Sequence, residues 1–155
     1  MTKQPQSSRW RRFVTELPAT AAALAVAATV EVGLHATTLP RLARFLGTPL
    51  AGHAGVENVM TGPTTAALTA RQKRQIRGVR RVLRHWPFGD TCLRQALIAG
   101  QRLRHMSPTL HVGVAKIEGE IRAHAWLVIA HGVLDPLAAA ASYLDLSEQP
   151  EGPPA

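Results

Sequence analysis

The 155-residue chain is poor in three things: it has one cysteine, 5% aromatic residues, and ten acidic residues against 18 Lys and Arg. A single cysteine forms no intramolecular disulfide and builds no Cys-rich zinc site, so disulfide scaffolds and zinc fingers are excluded. The histidines, at positions 35, 53, 85, 105, 111, 124 and 131, include no H-x-x-x-H pair, and neither a metal nor another cofactor is expected. Long apolar runs are also missing. The stretch from Leu17 to Val30 is uncharged, and Arg9, Arg11 and Arg12 precede it in the manner of an export signal. It is mostly alanine, Glu31 follows directly, and its 14 residues fall short of the ~20 that span a bilayer. The expectation is an amphipathic or buried helix, no stable membrane insertion, and a cytoplasmic protein.

What is present suits one folded domain with a small helical extension. A 46% apolar share excludes wholesale disorder, and abundant Ala and Leu favour helices. The net charge of +8 points to a partner of negative charge without naming it. Along the chain, helices are expected over 18–34 and 40–46, the second with Pro40 in its first turn and Gly47 after its end. Residues 48–63 read as loop. A third helix is expected over 64–85, with Ile76, Val79, Leu83 and Trp86 on a narrow apolar face, before Pro87-Phe-Gly89 breaks it. A fourth runs from about Thr91 to Arg104, with Leu93, Ala96, Leu97, Gly100 and Leu103 on one face.

After Ser107-Pro108 the period changes to two. Leu110, Val112 and Val114, then Ala123, Ala125, Leu127 and Ile129, read as strands joined by a turn at Glu118-Gly-Glu120. Asp135-Pro136 closes the sheet region, and a last helix is expected over 137–144. The layout is α+β, helices first and then an antiparallel hairpin. The expected segments are a disordered tail 1–8, a helical region 9–63, a core 64–146 and a disordered tail 147–155.

Cys92 stands at the start of the fourth helix, where backbone N–H groups and the helix dipole favour a thiolate, the nucleophilic form. Asp90 is a plausible N-cap there. A general base must reach the sulfur, and His124 lies in Ala123-His-Ala-Trp126 on an expected strand. Asp135, eleven residues further, could orient the imidazole. Each also has an ordinary reading: a small buried cysteine, a satisfied core histidine, a turn-forming aspartate. His131 is an alternative base. Cys at a helix start, His on a strand and Asp just after is the order of papain-like and transglutaminase-like enzymes.

Trp86-Pro87, Thr91-Cys-Leu-Arg-Gln-Ala-Leu97, His111-Val-Gly-Val114 and Ala123-His-Ala-Trp126, taken in that order, resemble the B2 proteins of lasso peptide biosynthesis. These are transglutaminase-like cysteine proteases that remove the leader from a ribosomally made precursor. The likeness extends to the Ala/Leu-rich helix and Leu39-Pro-Arg-Leu-Ala-Arg-Phe-Leu-Gly47, so it covers about residues 10–145. Two positions depart from it: Val128 stands where the family often carries an acid, and Gln95 where relatives are often basic.

The resemblance implies a transglutaminase-like core with a Cys92–His124–Asp135 triad that cleaves the leader–core junction through a thioester. It also implies the split form, in which a separate leader-binding protein presents the precursor peptide. The asparagine-synthetase-like lasso cyclase is the natural further partner.

Two other readings stay open. The same triad could transfer the acyl group to an amine or hydrolyse an amide of another peptide. Alternatively, the seven Lys and Arg between Arg71 and Arg84 could make a non-catalytic module for an acidic protein or nucleic acid. That run lacks interleaved aromatics and matches no nucleic-acid motif, so no nucleic-acid partner is expected. Arg74, Arg77 and Arg81 are candidates for docking a leader or partner protein.

Overall fold

The computed structural model describes residues 7–51, 66–129, 132–135 and 144–145. Helix α1 spans Ser7–Ala36, α2 Leu39–Phe45, α3 Ala70–Leu83 and α4 Cys92–Arg102, followed by a 3-10 turn at Arg104–Met106. Strands β1 (Thr109–Ile117), β2 (Glu120–Ile129), β3 (Gly132–Leu134) and β4 (Leu144–Asp145) form one antiparallel sheet in the order β3-β2-β1-β4. The architecture is α+β, as the change of period indicates. Residues 1–6 of the first expected tail, all of the second, most of the expected 48–63 loop and residues 137–143 of the expected last helix lie outside the described residues, while Ser7 and Ser8, expected in a disordered tail, open α1. Leu144, expected as that helix's last residue, is in β4.

Helix α1 begins at Ser7, and Pro18 lies inside it. It buries Ala23, Ala27 and Val30, the stripe that small residues at helical spacing provide. That stripe packs on α3, where Gly78 lets the backbones approach: a Cβ there would sit 3.1 Å from the Ala19 carbonyl oxygen.

Helix α3 starts six residues later than its apolar pattern indicates. Ala66 N–H donates to the Val133 carbonyl (3.1 Å), which holds this stretch extended beside β3. Thr69 then opens the helix with a capping box, its hydroxyl accepting from Gln72 N–H while the Gln72 side chain accepts from Thr69 N–H.

Helix α4 is buried more completely than an amphipathic pattern implies. Ala96, Leu97, Ile98, Ala99 and Gly100 are all buried, because α4 lies between α1 and α3 on one side and the sheet on the other. Small residues make that central position feasible.

The hairpin turns at Glu118 and Gly119, both with positive φ (53° and 88°), as a two-residue turn between twisted strands requires. β2 is exposed over its first four residues and buried from His124 onward, apart from half-buried Val128. Pro49–Ala51 adds a short parallel bridge to Leu110 of β1.

Candidate active site

Cys92 is the first residue of α4. The N-cap is Thr91, whose hydroxyl accepts from Arg94 N–H (3.4 Å), and not Asp90 as expected. Thr91 has the extended backbone a cap needs. Asp90 instead accepts from Gln95 Nε2 at 2.7 Å, bracing the first turn from the side. Cys92 is half-buried and packs against the core.

Strand β2 presents two faces. Ala125, Leu127 and Ile129 belong to the core, and Leu127 meets α4 beside Ala96 and Ala99. His124 and Trp126 alternate with them and point the other way. His111 lies directly across from Trp126, and the two rings stack at 5.9 Å and 20°. His124 stacks on the same indole at 5.9 Å and 26°, so the imidazole plane is fixed by an aromatic wall.

β3 turns back beside β2, pairing Leu134 with Leu127, and Asp135 follows at its end. That register puts Asp135 on the His124 face. His124 Nε2 donates to Asp135 Oδ1 at 2.8 Å, with both side chains at least 95% buried. A carboxylate acceptor on Nε2 keeps a proton there and places the neutral ring's lone pair on Nδ1.

The structure therefore joins two of the three expected site residues. Among the described residues Cys92 makes no side-chain hydrogen bond, to His124 or to any other group. Leu127, not His124, carries the β2 contact to α4, and no contact between the His124 ring and the Cys92 sulfur is seen among the described residues. Arg74, Arg77 and Arg81 are all exposed on α3. His131 lies outside the described residues. Among the described residues no group of three His, Cys, Asp or Glu could hold a metal ion.

A second polar cluster stands on the other side of α4. Glu31 of α1 is buried and accepts from Arg94 Nε (2.9 Å) and a terminal Arg94 nitrogen (3.0 Å). Trp86 Nε1 also donates to it at 3.3 Å, and His35 Nε2 lies 3.2 Å away. The Arg94 guanidinium is the main reason the Glu31 carboxyl titrates at about 2, with Trp86, His35 and the Arg94 charge adding to its pull and burial opposing it. Arg94 is two residues from Cys92, so this bidentate pair ties α1 to the cysteine's own helical turn.

Sequence reasoning missed this cluster. Its one signal in the sequence is Glu31, a lone acid closing an apolar stretch.

Residues 34–147 match the family model described as Transglutaminase-like superfamily, which spans the larger part of the chain. The chain belongs to the transglutaminase-like superfamily. No curated protein and no solved structure gives a significant match. Superfamily membership makes this a papain-like cysteine-enzyme fold, and the matched segment contains Cys92, His124, Asp135 and Arg94. Glu31 lies just before it. The carboxylate that grips the first turn of α4 thus comes from a helix lying mostly outside the transglutaminase-like segment.

Proposed function

We propose that the chain is a cysteine peptidase that removes the leader from a ribosomally made lasso precursor peptide and works with a separate leader-binding protein. The observation that carries the reading is the buried His124–Asp135 pair at 2.8 Å, in a transglutaminase-like chain whose one cysteine opens the adjacent helix. The motifs Thr91-Cys-Leu-Arg-Gln-Ala-Leu97 and Ala123-His-Ala-Trp126 supply the specific family.

In this mechanism His124 Nδ1 takes the Cys92 thiol proton as the sulfur attacks the scissile carbonyl. Asp135 stays ionised, holds the proton on Nε2 and stabilises the imidazolium. The tetrahedral intermediate collapses to a thioester as His124 returns the proton to the leaving amine. Water, deprotonated by His124, then hydrolyses the thioester and frees the second peptide. Backbone N–H groups at the start of α4 are suited to meet the oxyanion.

Arg74, Arg77 and Arg81 recur at helical spacing on α3 and offer an acidic leader or partner a cationic row. The leader-binding protein brings the precursor to Cys92, the lasso cyclase takes the freed core, and all of this occurs in the cytoplasm.

Incubating precursor with wild type or Cys92→Ala, with and without the leader-binding protein, tests the reading by product mass. Free leader and core from wild type alone, accelerated by the partner, are expected. Cross-linked or deamidated product would replace peptidase with acyl transfer or amidase. Equal rates without the partner would remove the split-system part.

A further inference from the structure

Helix α1 carries an apolar face that is largely exposed. The stretch Leu17–Ala36 is long and apolar enough to cross a membrane, yet only 22% of that window is buried. It exceeds the 14-residue uncharged run because it continues past Glu31, whose charge is held inside. Leu17, Leu24, Ala28 and Val32 fall along one stripe, and Leu17, Leu24 and Val32 are 63%, 51% and 67% exposed. Phe45 of α2 extends the stripe and is 77% exposed.

Concave surface lies at both ends. One groove of about 520 Å³ runs between Leu17, Ala21 and Leu24 of α1 and His85, Trp86 and Pro87 after α3. Another, of about 650 Å³, lies between Ala28 and Val32 of α1 and Leu42 and Phe45 of α2. Arg81 lines the first groove and Arg41 the second, and no described carboxylate lines either.

We propose that this face is a docking site for an acidic amphipathic helix of a partner protein, laid along α1 from Leu17 to Val32. Fifteen residues of α1 separate those two side chains, so the ligand helix is about 22 Å, or four turns, long. Its apolar residues enter the two grooves at i, i+3, i+4 and i+7 spacing, and its carboxylates meet the exposed Arg41. Charge decides against the other occupants. A second copy would bring these cationic rims against one another on chains that each carry +8. Crossing a bilayer would pull Glu31 away from Arg94 and Trp86 and strip the buried Ala23, Ala27 and Val30 from α3.

The site is independent of chemistry at Cys92. The test is fluorescence anisotropy of the full chain with a labelled synthetic helix of about four turns, Leu on one stripe and Glu elsewhere. Expected is saturable 1:1 binding to wild type and equally to Cys92→Ala. Affinity should fall about ten-fold or more for Leu24→Glu with Val32→Glu. It should also fall for Arg41→Glu, a separate exposed change on α2 that keeps the test valid if the double variant melts early.

The same peptide with Lys for Glu should bind much more weakly. Equal binding of the Lys peptide would overturn the proposal, as would unchanged affinity in folded variants. Two further results would do so: preferential binding to vesicles of equal phosphatidylglycerol and phosphatidylcholine, or sedimentation as a dimer that Leu24→Glu dissolves.

Discussion

Two buried carboxylates, Asp135 at the end of β3 and Glu31 on α1, differ in the base each one faces. Asp135 faces an imidazole that can hold or release a proton. Glu31 faces a guanidinium that stays charged at any working pH. The first pairing is fit for moving a proton, because its acceptor lone pair lies on the far side of a titratable ring. The second is fit for holding a helix in place, because nothing in it can change state above acid pH. Similar geometry, a carboxylate 2.8–2.9 Å from a nitrogen, therefore carries two different tasks.

Substitutions that break this contrast should rank accordingly. Cys92→Ala and His124→Ala are expected to lower precursor cleavage by roughly 10⁴-fold or more, with melting temperature little changed for Cys92→Ala. Chromatographic assay of cleavage products checks this. Asp135→Asn keeps the shape but can hold the wrong tautomer, and a loss of roughly 10²–10⁴-fold in kcat is expected, with KM nearly constant.

Glu31→Gln should act in the opposite sense. It lowers the melting temperature by several degrees, because a part-buried guanidinium loses its counter-charge, and it reduces cleavage far less than Asp135→Asn does.

pH separates the pair further. The Glu31 carboxyl titrates at about 2 in the fold against an ordinary 4.5, so its ionised form stabilises the protein fully above about pH 4.5. That contribution is lost as pH falls from 4.5 toward 2. The melting-temperature gap between wild type and Glu31→Gln should therefore be constant from pH 7 to 5 and close below that. A gap that widens in acid would contradict the assignment. The smallest effect belongs to the surface: Arg74→Glu with Arg77→Glu should slow cleavage several-fold at low salt and scarcely at all at high salt.

Much of this was legible from spacing. The shift from helical to alternating period located the hairpin, and the positive-φ turn at Glu118-Gly119 falls where Gly119 indicated. Cys92, His124 and Asp135 were all readable as candidates, because a cysteine at a helix start and a histidine between strand alanines are local patterns. β3 was not, since a three-residue strand has no period of its own. The start of α3 was misplaced because a long-range bond from Ala66 to Val133 overrides local propensity. The Glu31–Arg94 pair was invisible for a related reason. It joins residues 63 apart, and no one-dimensional pattern marks the meeting of an acid on one helix with a base on another. Of the amphipathic or buried helix expected for α1, the structure buries only one stripe, Ala23, Ala27 and Val30, where α3 covers it.

The central claim is that His124 serves Cys92, and the rate of Cys92 alkylation by iodoacetamide at neutral pH tests it without any substrate. His124→Ala is expected to slow alkylation markedly while Glu31→Gln, assayed below its melting temperature, changes it little. Equal alkylation of wild type and His124→Ala, both folded, would contradict it.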